Sequence, residues 1–181
     1  MLRAVLSSAR TLSKVQLASH YSRMEIRDAK AEDAHAAAQM LRRSISDLCT
    51  ADHGNDPVIL AQWLSNKTPE IVASWMTMPN NSVLVAVEDD AILAVGAVTD
   101  TGLITLNYVS PDARFCGVSR ALLRALEARA LERGSVRCTL NSTETARRFY
   151  LANGYVIDGS PVRKHGVGGY PMSKPLAPHN S

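Results

Sequence analysis

The sequence predicts an α/β (α+β) fold, a mixed and largely antiparallel sheet of about six to seven strands with helices on both faces. Three observations point there. Alternating β-favouring runs and apolar stripes at helical spacing follow one another in the order β-α-α-α-β-β-β-α-β-α-β-β. The middle strands are joined by short turns, which suits antiparallel pairing. A chain of 181 residues, 46% hydrophobic and 20% charged, has the composition of one globular domain with a real core.

In chain order, residues 25–27 form a short first strand. Ala31-Glu32-Asp33 opens a helix to about Ser46, with Ala34, Ala37, Ala38, Leu41 and Ile45 on one stripe. Residues 47–56 are polar and turn-rich and read as a loop. Pro57 opens a second helix to Leu64, where its missing N–H costs nothing. Pro69 opens a third, with Ile71, Val72, Trp75 and Met76 inward, ended by Pro79-Asn80-Asn81-Ser82. Strands 83–88 and 92–99 are joined by Asp89-Asp90-Ala91 as a tight hairpin. Asp100-Thr101-Gly102 turns into a central strand, 103–109. A long helix, 119–133, closes at Gly134, and 136–140 is another strand. Ser142 or Thr143 caps a helix that ends at Asn153-Gly154, and 155–157 is a strand. Residues 159–169 read as a Gly-rich basic loop, 170–174 as a last edge strand, and the tail beyond as loose.

The stretch that organises the rest is Val109-Ser110-Pro111-Asp112-Ala113-Arg114-Phe115-Cys116-Gly117-Val118-Ser119-Arg120, a tight loop between the central strand and the long helix. The first N–H groups of a helix lack internal partners and sit at the positive end of its dipole, which suits an anion. Gly117 allows close backbone approach, and Arg114 and Arg120 add charge and donors fitted to phosphate oxygens. The stretch alone reads equally as an ordinary strand-to-helix turn with surface arginines.

Arg114-Phe115-Cys116-Gly117-Val118-Ser119 resembles the Arg/Gln-x-x-Gly-x-Gly/Ala pyrophosphate loop of the GCN5-related N-acetyltransferases, the GNAT family; Ser119 departs from the usual Gly/Ala. Thr143-Glu144-Thr145-Ala146-Arg147-Arg148-Phe149-Tyr150-Leu151-Ala152-Asn153-Gly154-Tyr155 resembles the family's downstream signature, Ala-x-x-Phe-Tyr-x-x-x-Gly-Phe/Tyr, in the family's order and at a fitting separation. The similarity covers residues 24–176 and is weakest over 48–78, where acceptor specificity resides in the family.

The resemblance implies transfer of an acetyl group from acetyl-CoA, as co-substrate, to a primary amine by direct attack in a ternary complex. It places the nucleotide phosphates on the backbone of Phe115, Cys116, Gly117, Val118, Ser119 and Arg120, with Arg114, Arg120 and Arg147 as further candidates. It pairs the pantetheine arm with the backbone of Tyr108 and Val109. It makes Tyr150 the acid that protonates the leaving thiolate. The pattern alone leaves Tyr150 equally a core residue on the stripe of Ala146 and Phe149, and Arg147 and Arg148 a solvated helix face. No general base stands out: Asp52, His53 and Glu88 fit surface or capping roles better, and Asn107 or Tyr108 could position a water. Cys116 reads as a spectator beside the helix start. Gly166-Val167-Gly168-Gly169 lacks the context of a dinucleotide site and reads as a flexible loop near the acceptor, which loops 48–56 and 159–169 should line. The alternative is an acyl-CoA-binding sensor module without transfer activity.

A net charge of +3 is too mild to argue for nucleic acid, and no apolar run reaches membrane-spanning length. Cys49, Cys116 and Cys138 lack CxxC spacing, and the histidines lack ligand spacing, so reduced thiols and no metal are expected. The expected partner is a small-molecule or protein amine, the expected form a monomer or homodimer. Residues 1–23 have four basic and no acidic residues. They fit a mitochondrial-type presequence or an extension ahead of a true start at Met24, the second being preferred. The expected division is therefore extension 1–23, transferase domain 24–176 and tail 177–181, with a cytoplasmic location, or the mitochondrial matrix if 1–23 is a presequence.

Overall fold

A computed structural model describes residues 24–164 and 167–177. The expectations for 1–23, for Gly166 and for most of the tail lie outside the described residues. The first sheet has the order β1-β2-β3-β4, all antiparallel: β1 (Glu25–Asp28), β2 (Asn81–Glu88), β3 (Ala91–Thr99) and β4 (Ile104–Val109). The β2–β3 turn runs through Asp89 and Asp90, both at positive φ, as a tight two-residue hairpin requires.

Side chains alternate across this sheet, and each face has its own cover. Val83, Val85, Val95 and Ala97 pack under α1 (Ala34–Leu48) and, further along the chain, the helix Pro69–Met76, through Ala37, Leu41 and Val72. Leu84, Ala86, Ala94 and Val98 pack under a second long helix, Val118–Glu132, through Leu122, Leu123 and Leu126. Gly96 lets that helix approach closely: a Cβ there would lie 2.8 Å from Leu126 Cδ1. Between α1 and Pro69–Met76 the chain forms α2 (Thr50–His53) and α3 (Pro57–Leu64), so Pro69–Met76 is α4 and Val118–Glu132 is α5. The expected loop 47–56 thus contains one helical turn, closed by Gly54 and Asn55 at positive φ. Among the described residues, no helix is long and apolar enough to cross a membrane.

After β5 (Arg137–Ser142) come α6 (Glu144–Ala152), β6 (Val156–Ile157), β7 (Val162–Lys164) and β8 (Val167–Pro175). Two expectations are corrected here. The stretch 159–169 is not a free loop, because β7 folds back on β8 with Val162 opposite Gly169. Nor is the last strand an edge: β8 pairs with β5 on one side and with β6 and β7 on the other. The edge next to it is β6, two residues long. Reading 170–174 as terminal missed the glycines that extend β8 backwards, since Gly is weak evidence for a strand.

The two sheets meet at one end only. Leu103 bridges Thr139 in parallel, and the Thr139 N–H donates to Gly102 O at 2.9 Å. Beyond that contact β4 and β5 diverge. Gly102 has φ +81, and a Cβ there would lie 2.2 Å from Arg137 O, so no side chain fits. Gly102→Ala should therefore destabilise the fold by roughly 2–5 kcal/mol in urea denaturation, combining left-handed strain with overpacking. Gly134→Ala, at φ +89 with open space around it, should cost only about 1–2 kcal/mol.

Candidate functional site

Where β4 and β5 part, a cleft of about 510 Å³ opens, walled by β4 on one side and by β5 with the start of α6 on the other. The loop to α5 closes one end. A bulge shapes β4: Ala97 pairs with Leu106 but Val98 with Ile104, leaving Thr105 extra. The Ser110 N–H donates to Leu93 O at 2.7 Å, so Ser110 points its backbone toward β3. Backbone direction alternates along a strand, so Tyr108 also faces β3, whereas Asn107 and Val109 turn their N–H and C=O toward the cleft.

The loop from Arg114 to Arg120 lines one end of the cleft, Cys116 excepted. Phe115 and Gly117 both have positive φ, at +62 and +80. The first backbone bond of α5 is Ala121 N–H to Gly117 O at 3.0 Å, and no side chain caps the helix. The N–H groups of Val118, Ser119 and Arg120 therefore have no helical acceptor. By contrast α3, α4 and α6 are capped by Asp56, Thr68 and Thr143. Arg114 and Arg120 are exposed beside this end, and Arg114 lies over the Phe115 ring at 4.5 Å from its centroid. An Arg43–Asp112 ion pair at 2.9 Å ties the loop to α1.

Tyr150 comes from α6 and is buried, with its ring edge-on to Phe149 and Tyr155. Its hydroxyl oxygen accepts from Asn107 Nδ2 at 3.3 Å. Burial pushes the phenol up to about 12, the Asn107 donor opposing it in part. Asn107 Oδ1 is buried and has no partner among the described residues. Tyr108 lies on the other face of the sheet, against the α1 cluster, and burial raises its phenol too. Burial likewise pushes the Cys49 thiol up to about 12, so it stays a thiol.

The candidate bases have other employment. Asp52 accepts from Glu144 N–H at 2.7 Å and Thr145 N–H at 3.3 Å, a cap on α6 delivered from α2. His53 is buried, accepting from Asn55 N–H at 3.1 Å through Nδ1 and leaving Nε2–H to donate to Ile45 O at 3.2 Å. Glu88 ends β2 at the hairpin, outside the cleft. Arg147 pairs with Glu144 at 2.7 Å and stacks on Tyr170 at 4.8 Å. Among the described residues, no carboxylate or imidazole lines the cleft.

Sequence reasoning missed the Asn107–Tyr150 contact, which spans 43 positions. Its only trace was an Asn inside a strand, where Asn is disfavoured. A capping role for Asp52 was expected, but its partner was not legible, since the contact crosses 92 positions. Asp52→Ala should lower stability by about 0.5–2 kcal/mol, read by urea denaturation, because it removes a cap and leaves Thr143 as the second one.

Several solved structures share this architecture. A GCN5-related N-acetyltransferase from Rhodopseudomonas palustris is 24% identical, with a TM-score of 0.75, covering 85% of this chain and 96% of its own. The PaiA N-acetyltransferase of Thermoplasma acidophilum, solved with coenzyme A, is 16% identical with a TM-score of 0.71, covering 84% and 99%. YncA of Salmonella typhimurium, solved with acetyl-CoA, is 20% identical with a TM-score of 0.62, covering 87% and 96%. No curated protein matches in sequence. The profile of the acetyltransferase (GNAT) domain matches residues 18–176, and so the chain belongs to the GNAT acetyltransferase family.

Proposed function

We propose that this protein transfers the acetyl group of acetyl-CoA to a primary amine by direct attack within a ternary complex. The observation that carries the proposal is the pairing, in one cleft, of an uncapped helix start with a buried phenol. The residues present suit acetyl-CoA as co-substrate. The free N–H groups of Val118, Ser119 and Arg120, with Arg114 and Arg120 alongside, would hold the diphosphate. The cleft-facing backbone of Asn107 and Val109, rather than that of Tyr108, would pair with the pantetheine arm. The structural neighbours solved with coenzyme A and acetyl-CoA support the same ligand.

Acetyl-CoA would supply a thioester, whose carbonyl carbon accepts the amine lone pair. As the C–N bond forms and the C–S bond breaks, the electron pair leaves on sulfur. Tyr150 gives its proton to that sulfur, and the amine gives up one proton, which restores the phenol through solvent. The Val109 N–H faces the cleft and can donate to the carbonyl oxygen as charge builds there. A phenol is protonated at neutral pH, as an acid must be, and burial raises Tyr150 further.

A second reading has one observation in its favour. Because no carboxylate or imidazole lines the cleft among the described residues, the chain could bind acyl-CoA as a sensor without transferring the group. The discriminating experiment incubates the protein with acetyl-CoA and spermidine, L-lysine, kanamycin, a peptide with a free α-amino group and an N-blocked lysine peptide. Amine-dependent release of free thiol is expected. Calorimetric binding of acetyl-CoA without release from any of the five supports the sensor, and no binding at all overturns both readings.

Tyr150→Phe should lower kcat on the order of a hundredfold, with KM for acetyl-CoA little changed. The pH profile of the wild type should rise as the amine deprotonates and show no falling limb until pH approaches about 12, where Tyr150 ionises. A falling limb centred near neutral pH would contradict Tyr150 as the acid.

A further inference from the structure

The unpartnered oxygen of Asn107 is the least explained atom in the cleft. An acceptor buried without a hydrogen bond is destabilising, and an aliphatic side chain on this strand face would avoid that cost. The amide's other end is committed, since Nδ2 donates to the Tyr150 oxygen at 3.3 Å. That donation has a consequence for the phenol. A hydroxyl oxygen that accepts from Nδ2 keeps its own proton free to point elsewhere.

We infer that the Asn107 amide serves both reacting groups at once: Nδ2 fixes the Tyr150 oxygen so that the phenol proton faces the departing sulfur, and Oδ1 accepts an N–H from the attacking amine. This rests on the acetyltransferase reading above. Nitrogen and sulfur flank the same carbonyl carbon during transfer, and the two ends of one amide are spaced to address two such neighbours. Oδ1 takes no proton, since an amide oxygen is far too weak a base. It orients the lone pair by holding an N–H on the opposite side of the nitrogen. Asn107 thus contacts substrate through Oδ1 and acts as a positioning residue through Nδ2.

The test uses two variants of similar branched shape in the full chain. Asn107→Leu removes both hydrogen bonds, and Asn107→Asp keeps an acceptor for the amine but loses the donor to Tyr150. The first readout needs no substrate. With 3,5-difluorotyrosine at position 150, whose phenol ionises in an accessible range, fluorine NMR follows its titration. Losing a donor to the phenolate must move that titration upward in Asn107→Leu. A downward move means that Oδ1 accepted the phenol proton, and overturns the assignment.

The second readout is steady-state kinetics with acetyl-CoA and the fastest of the five amines above. Asn107→Leu should raise KM for the amine on the order of tenfold and lower kcat, leaving KM for acetyl-CoA unchanged. Asn107→Asp should lower kcat on the order of tenfold with KM for the amine held or reduced, and should cause no further fall in the Tyr150→Phe background. A rise in KM for acetyl-CoA instead of the amine, or additive losses with Tyr150→Phe, overturns the inference. An upward titration shift with no transfer to any amine defeats the acetyltransferase reading itself, and the amine half of the inference with it.

Discussion

The site depends on a junction that holds at one end and fails at the other. The Thr139 N–H meets Gly102 O, Leu103 bridges Thr139, and from there β4 and β5 run in the same direction but apart. Two parallel strands that stayed paired would satisfy each other's backbone and leave no cleft. The divergence leaves the outward edge of β4 with hydrogen-bonding capacity at Asn107 and Val109. Such an edge in a protein interior calls for a partner. An extended ligand bearing amides, laid along the strand, meets that demand better than water alone. The crowding at Gly102 matters for the same reason: the junction is tight because the sheets must separate immediately beyond it.

Burial then decides the chemistry along the cleft. The ring of Tyr150 packs edge-on against two aromatic neighbours, which fixes its direction, and desolvation raises further a phenol that is already neutral at physiological pH. One packing arrangement thus suits the orientation and the protonation state of the acid in the proposed transfer. At the other end the logic reverses. The start of α5 is left uncapped and carries no acidic residue in its first turn, so its N–H groups and the exposed arginines keep a positive field open to solvent. The long thin shape of the proposed co-substrate, apolar and amide-rich at one end and highly charged at the other, matches that gradient.

The elements with strong local signals were legible in the sequence. The stripe of Ala37, Leu41 and Ile45, the prolines opening α3 and α4, and the Asp89-Asp90 turn all act within a few residues, and each lies where its local chemistry requires. The turn at Gly117 was legible because glycine permits the positive φ found there, whereas the stretch alone did not separate an anion site from an ordinary strand-to-helix turn. Strand order was harder. β8 looked terminal because it opens with Val-Gly-Gly, and only pairing with β5, β6 and β7 shows it to be central. The partners of Asp52 and Asn107 were not legible, since each lies far along the chain. No periodicity records such contacts.

The fate of Asp52 and His53 also bears on how the reaction must run. Both have side chains suited to acid–base work, yet one is consumed by two N–H groups at the start of α6 and the other by bonds at both ring nitrogens. A carboxylate spent as a cap stabilises the helix that carries Tyr150 and lies outside the residues that line the cleft. In the proposed transfer, deprotonation would then fall to water, or to the fraction of amine that enters neutral. A cleft without anionic side chains favours that neutral form, because an ammonium ion would be desolvated there with no countercharge. In the proposed transfer, the absence of a carboxylate or imidazole among the described lining residues would thus select against the protonated acceptor and leave the reactive, neutral amine.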